Sequence, residues 1–357
     1  MHARALFRLL PAASAAIPWL PLAQLPTRLG SVRVAGVDGP LDVVIKHDSE
    51  TATPYGGNKV RKLEFLLADA RRAGASRVIT AGAFGSHHAL ATTVFARQMG
   101  LDTTVVLFPQ RITPHVRDIL LMISGLGAEI RFTRRMEFVP VALRRARNAH
   151  GTAAYIVPPG GSNALGTLGY VECGLELAEQ LRARASAGHA PIRRVHVAAG
   201  TLGTAVGLAI GLAAAGADAD IAATRITSAL VTNDRNMLQL ARRTLALLRA
   251  AAPAVRLPDE REVTRRIHLV HDQIGDGYGR PTAAGDRATT MFRAAGIELD
   301  ATYTAKAAAA LLADPLTREG AAMYLHTLSS VAPVDAAERA AVEDLPKEIA
   351  QRVNAYS

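Results

Sequence analysis

Short runs rich in valine and isoleucine alternate with longer stretches of helical periodicity along most of this chain, and glycine stands at several of the junctions. That alternation is what a parallel sheet covered by helices requires. Parallel strands are buried on both faces and read as continuous apolar runs, and each needs a crossover long enough for a helix before the next strand begins. The class is therefore α/β. Strands are expected over 43–46, 77–81, 104–108, 153–157, 195–199, 221–226 and 323–326, and helices over 59–72, 87–99, 116–126, 165–185, 204–215 and 234–251. A chain of 357 residues with 49% hydrophobic content is long enough for two domains. The Gly- and Pro-rich stretch at 158–163 is the best internal boundary, and 251–258, rich in alanine and proline, reads as a loop.

Composition removes several function classes. The single cysteine, Cys173, excludes an intrachain disulfide framework and a cysteine-rich metal site, and it points to a reducing compartment, so the cytoplasm is expected. Residues 1–17 carry Arg4 and Arg8 beside an apolar stretch interrupted by Pro11, which keeps a secretory or transit segment as the alternative. No uncharged apolar run approaches about 18 residues, so no transmembrane helix and no membrane partner are expected. A net charge of +10 would suit nucleic acid, but the arginines fall in scattered pairs, as at Arg134 and Arg135, Arg193 and Arg194, and Arg265 and Arg266. Without interleaved aromatics they read as a solvated surface, with no nucleic-acid partner.

Lysine is more telling. Only Lys46, Lys59, Lys62, Lys306 and Lys347 occur in a chain that otherwise uses arginine. Guanidinium stays protonated, whereas a desolvated lysine can lose its proton and attack a carbonyl. In Gly56-Gly57-Asn58-Lys59-Val60-Arg61-Lys62, two glycines lead into a helix with Asn58 as its expected N-cap. Lys59 then falls in the first turn, where the helix dipole disfavours a cation, and Lys62 three residues on disfavours it further. An ordinary basic helix start explains these residues equally well.

Two further strand-to-helix junctions are rich in small residues. Gly200-Thr201-Leu202-Gly203-Thr204 opens a helix after an apolar run, so its free backbone N–H groups can cradle an anion. Its spacing fits neither a dinucleotide fingerprint nor a P-loop, which leaves an isolated phosphate, or simply close helix packing. Gly82-Ala83-Phe84-Gly85-Ser86-His87-His88 occupies the carboxyl end of a strand, where ligands of open α/β sheets bind, or else Ser86 merely caps the next helix. Adjacent histidines point about 100° apart on a helix and do not chelate. His268 and His271 read as structural, and no metal site is expected. Gly160-Gly161-Ser162-Asn163, Gly275-Asp276-Gly277-Tyr278-Gly279-Arg280-Pro281-Thr282, Tyr303-Thr304-Ala305-Lys306 and His326-Thr327 complete the set, each alone also readable as a turn or cap.

In this order the segments resemble the 1-aminocyclopropane-1-carboxylate deaminase and D-cysteine desulfhydrase family of fold-type II pyridoxal-phosphate enzymes, over about residues 18–327. The stretches GGNKVRKLEFLLADA from Gly56, PPGGSNALGTLGY from Pro158 and GYGRPT from Gly277 carry the likeness. The resemblance implies a two-domain tryptophan synthase beta-like fold, with a smaller domain over 61–165 and a larger one over 1–60 and 166–357, in a homodimer. It implies pyridoxal 5'-phosphate bound as a Schiff base to Lys59, with Gly200, Thr201, Leu202, Gly203 and Thr204 around the phosphate and Lys62 close by. It places Ser86, His87 and His88 against substrate and cofactor, with Asn58 beside them. Tyr278 and Tyr303 match the two active-site tyrosines, and Thr327 matches the residue beneath the pyridine nitrogen.

Within the family, ring-opening deaminases typically carry glutamate after the second tyrosine and leucine after the C-terminal histidine, where this chain has Thr304 and Thr327. The resemblance thus favours a lyase that removes a β leaving group from a cysteine-like amino acid to give a 2-keto acid and ammonia. Lys59 would act as base, and Ser86, Tyr278 and Tyr303 would move protons. The alternatives are cyclopropane-carboxylate deamination, amino-acid racemisation, or a catalytically altered homologue that binds the cofactor. The last arises because His87 replaces a usual asparagine, Leu202 a usual glycine, and Leu328-Ser329 a usual Gly-Gly pair.

Overall fold

In the computed structural model, which describes residues 4–36 and 39–356, ten strands are distributed over two sheets. They are β1 (Leu29–Gly36), β2 (Gly39–His47), β3 (Arg77–Ala83), β4 (Asp102–Phe108), β5 (Glu129–Phe132), β6 (Ala154–Ile156), β7 (Arg194–Ala199), β8 (Asp220–Arg225), β9 (Ile267–Val270) and β10 (Ala322–His326). The six-stranded sheet runs β1-β2-β10-β7-β8-β9 and the four-stranded sheet β5-β4-β3-β6. Every pairing is parallel except β1 with β2.

All seven expected strands are present. The three that the sequence did not announce, β1, β5 and β9, are all edge strands. An edge strand is only half covered and carries polar residues among its apolar ones, as in Glu-Ile-Arg-Phe of β5, so it offers no continuous apolar run. The six expected helices form within two residues of their anticipated bounds. Among the helices not anticipated, Thr304–Ala313, sequence TAKAAAALLA, is rich in alanine and buried around most of its surface, so it shows little 3.6-residue contrast.

The helices Asn58–Arg72 and Ala164–Ser186 pack without an intervening layer of side chains at Gly169, where a Cβ would lie 2.1 Å from the carbonyl oxygen of Arg61. Close approach there fixes the helix that begins with Asn58 and Lys59. Residues weighed as a targeting segment are a packed element: Leu6, Leu10, Ala13 and Ile17 are buried in the largest apolar cluster. The Glu172 carboxylate accepts hydrogen bonds from the backbone N–H groups of Ala5 (2.9 Å) and Leu6 (2.7 Å), supplying the helix start with the acceptor that it lacks. Residues 1–3 of that segment lie outside the described residues. Among the described residues, no helix is long and apolar enough to cross a membrane.

Candidate active site

A cavity of about 960 Å³ is lined by residues at the carboxyl ends of β3 and β4 of one sheet and β7 of the other. That is where ligands of open parallel sheets bind, because strand ends and helix starts converge there. Lys59, Lys62, Ser86, His87, His88, Tyr278, Tyr303, Thr304 and Thr327 all contribute to its lining, although they come from segments far apart in the chain. The stretch from Gly200 to Thr204 and the Asn58 side do so as well.

The helix carrying Lys59 starts at Asn58, one residue earlier than expected; Gly57 is its N-cap, with no side-chain cap bond. Asn58 is therefore not the cap. Its side chain instead bridges the site: its amide nitrogen donates to Thr204 Oγ1 at 3.2 Å, and its carbonyl oxygen accepts from Lys59 Nζ at 2.6 Å. Burial pulls the Lys59 ammonium down to about 8, partly opposed by the Asp300 carboxylate. The lowering foreseen in the sequence is present, but desolvation rather than the neighbouring Lys62 is its main cause. Lys62 is itself buried, donates to the Gly160 carbonyl (3.0 Å) and Ser162 Oγ (3.1 Å), and is held well below its ordinary value by burial and then by Lys59.

Across the cavity, the Gly203–Ala214 helix begins without a side-chain cap. The Gly203 N–H donates to the Thr201 carbonyl at 2.9 Å, and the N–H groups of Thr204 and Ala205 behind it are left to meet an anion, as at other phosphate-binding helix starts. A Cβ at Gly203 would fall 2.5 Å from Ser162 Oγ and 2.9 Å from Lys62 Nζ, so only glycine leaves room beside that amine. Thr201 Oγ1 and Ser162 Oγ are 2.7 Å apart and close the cradle. An amine with depressed basicity beside an uncapped, hydroxyl-lined helix start suits a group bearing one aldehyde and one phosphate, which is what pyridoxal phosphate presents.

Leu202 precedes this helix at φ +65°, the sole non-glycine residue with positive φ among the described residues. An L side chain there costs roughly 1–2 kcal/mol, yet Leu202 is buried in the apolar cluster of the six-stranded sheet. Losing a buried leucine costs about 3–5 kcal/mol. Leu202→Gly is therefore expected to destabilise the fold by roughly 1–4 kcal/mol, because packing outweighs strain relief. Urea unfolding checks this, and a more stable variant would show that strain dominates.

Ser86 caps the His87–Gln98 helix, accepting from the Ala89 N–H at 3.2 Å, and also lines the cavity; the two readings of that serine are both realised. The His88 ring bonds Thr80 Oγ1 at 2.9 Å and is held neutral by burial. His87, pulled down to about 4 by burial, is gripped at Nδ1 by the Tyr55 hydroxyl (2.5 Å) and at Nε2 by His115 Nε2 (3.1 Å). The hydroxyls of Tyr278 and Tyr303 meet at 2.6 Å, and burial pushes Tyr278 up to about 12 and holds Tyr303 well above its ordinary value.

Sequence reasoning missed Asp300. This buried carboxylate lines the cavity and accepts from the N–H groups of Thr302 (3.0 Å), Tyr303 (2.7 Å) and Thr304 (3.1 Å) and from Thr304 Oγ1 (2.7 Å). The Thr304 hydroxyl is thus engaged by Asp300, and it also accepts from the Asp300 N–H at 2.6 Å. Aspartate a few residues before a helix is a capping signature, and that signal pointed to it. The carbonyl of Thr327 accepts from the Asn58 N–H at 3.2 Å, tying the C-terminal strand end to the start of the Lys59 helix. The two histidines read as structural are engaged elsewhere, His268 with Asp220 (2.9 Å) and His271 with Arg225 (2.9 Å).

A profile of the family described as pyridoxal-phosphate dependent enzymes matches residues 21–327. The chain is 34% identical over 330 residues to nocardicin C-9' epimerase of Nocardia uniformis subsp. tsuyamanensis, covering 88% of this chain and 94% of that protein. It is 35% identical over 301 residues to D-cysteine desulfhydrase of Klebsiella pneumoniae (strain 342), covering 80% and 86%. Among solved structures, an ACC deaminase homologue superposes with a TM-score of 0.74 at 28% identity, covering 92% of this chain and 95% of that one.

Proposed function

Since this chain belongs to the pyridoxal-phosphate dependent enzyme family, we propose that it is a lyase of the D-cysteine desulfhydrase type, acting on a cysteine-like amino acid. The cofactor of the family is pyridoxal phosphate. When bound, it supplies an electron sink for bond breaking at the substrate Cα. The observation that carries the reading is one cavity shared by the Lys59 amine, the uncapped Gly203–Ala214 helix start and the Tyr278–Tyr303 hydroxyl pair.

In this reading Lys59 would hold the cofactor covalently, and its Nζ is the group that would take the substrate Cα proton. Asn58 Oδ1, 2.6 Å away, orients that amine. The N–H groups of Thr204 and Ala205, together with Lys62, would bind the phosphate. The hydroxyls of Ser86, Tyr278 and Tyr303 are within the cavity to orient the substrate and to return a proton to the departing thiolate. Asp300 acts at one remove, fixing the turn that presents Tyr303 and Thr304. The Cα–H and Cβ–S bonds break, the thiol leaves with a proton, and water converts the remainder to a 2-keto acid and ammonia. Ring opening of the cyclopropane substrate is disfavoured by Thr304 and Thr327. The same reading includes a homodimer in the cytoplasm, with 61–165 as the smaller domain.

Cofactor-loaded protein incubated in D₂O with D-cysteine, L-cysteine and aminocyclopropane-carboxylate tests this. Keto acid and sulfide in equal amounts from one cysteine enantiomer are expected, with a dimer by light scattering of the same preparation. Deuterium entering Cα with no keto acid would replace elimination by epimerisation, the reading that the 34% identical epimerase favours. No reaction of either kind would overturn both.

A further inference from the structure

The cavity extends past every residue assigned above. It continues into a lobe walled by the segment that joins β5 to the Val139–His150 helix, where Arg134, Arg135, Met136 and Pro140 contribute to its lining. The arginine pair is solvent-exposed, as its sequence suggests, and it also lines the cavity. Neither guanidinium has a hydrogen bond or ion pair among the described residues. Glu137, on the same segment, also lines the cavity, so the wall carries two positive charges against one negative.

Apolar side chains accompany the pair: Met136, 36% exposed, lines the cavity close to Phe138, which is 54% exposed, and Val231 lines it next to Leu230, which is 83% exposed. Large apolar side chains left in water beside a binding cavity mark a surface that a ligand covers. Unpaired guanidiniums on the same wall match a carboxylate, whose two oxygens fit their planar fork. A cysteine side chain carries neither an apolar body nor a distal charge.

We propose that this lobe is a distal subsite, and that the substrate is an amino acid whose β-thioether substituent is long, apolar along its length and carboxylated at its end. The proposal rests on the elimination reading: the Cα–H and Cβ–S bonds break as before, and the substituted thiol leaves with a proton.

The test compares S-(4-carboxybenzyl)cysteine, S-benzylcysteine and β-chloroalanine by keto-acid release from the holoenzyme. Wild type is expected to favour the carboxylated thioether over the benzyl one by about tenfold in kcat/KM, the equivalent of one net charge-assisted contact. That ratio should fall towards one in the Arg134→Ala, Arg135→Ala double variant and in about 0.5 M salt, which screens exposed charges. A wild-type ratio of one, or a preference that survives in the double variant, overturns the subsite. Turnover of β-chloroalanine alone overturns the subsite and leaves elimination standing. If none of the three gives keto acid, elimination fails, and calorimetry of the holoenzyme with 4-methylbenzoate against 4-methylbenzamide decides the subsite separately. An acid preference that depends on the arginines supports it, and equal binding overturns it.

Discussion

Lys59→Ala is expected to abolish the visible absorbance band of the cofactor-loaded protein and to lower keto-acid release by at least about a thousandfold, since covalent anchoring and general-base action are lost together. The cradle at the Gly203–Ala214 helix and Lys62 remain, so the variant should still bind pyridoxal phosphate without the covalent bond, and equilibrium dialysis would show it. That retained binding separates loss of chemistry from loss of fold. Lys59→Arg should fail likewise, because its guanidinium stays protonated, whereas the Lys59 amine is brought by burial to about 8 and is partly neutral near neutrality. Wild-type turnover in Lys59→Ala would remove Lys59 from the chemistry. The identity of the base would then pass to Lys62, the other cavity lysine, which is bound to Gly160 and Ser162.

The site was legible in proportion to how locally each residue acts. Ser86 and the stretch from Gly200 to Thr204 stand at strand-to-helix junctions and Lys59 at a glycine-led helix start, and each is written in consecutive residues: small residues, then helical periodicity. β3 and β7 were found for the same reason, each being a buried strand with a continuous apolar run. Asp300 escaped because its position in the cavity depends on how the Thr304–Ala313 helix packs, although its capping contacts are local. His87 could be seen as an unusual residue, but its clamp between Tyr55 and His115 joins positions 32 and 28 residues away. The Arg134 and Arg135 pair is exposed, as it was read, but nothing in its neighbourhood of sequence says that it also lines the cavity. Charge composition is a local property, and what a charge faces is not.

The largest effect on stability is expected from Asp48→Asn. Asp48 is fully buried and accepts from Arg61 Nε (2.9 Å) and Nη2 (2.8 Å), Thr27 Oγ1 (2.8 Å) and Tyr170 Oη (2.6 Å). Glu176 accepts from Arg61 Nη1 at 2.9 Å and from the buried Lys46, so two cations face two carboxylates in the interior. Removing one partner leaves a buried charge uncompensated, which costs about 3–5 kcal/mol. Burial alone would raise the Asp48 carboxyl, but the charges of Arg61 and Lys46 outweigh it and hold the group at about 2, below its ordinary 3.8. A carboxyl depressed in the folded state stabilises above its unfolded value, and that contribution, roughly 2–3 kcal/mol, is lost as pH falls from about 4 towards 2. Urea unfolding across that range should thus show a steep acid loss in wild type and a flatter profile in Asp48→Asn. Should the asparagine variant not fold, Tyr170→Phe, which removes one hydrogen bond to the carboxylate, is expected to cost about 1–3 kcal/mol and to soften the same acid step. A profile unchanged in both would show that the cluster contributes nothing net. Arg61 lies two residues after Lys59 on one helix, so the cluster also sets the angle at which the reactive amine enters the cavity. A folded Asp48→Asn protein is accordingly expected to lose turnover at temperatures well below its unfolding midpoint.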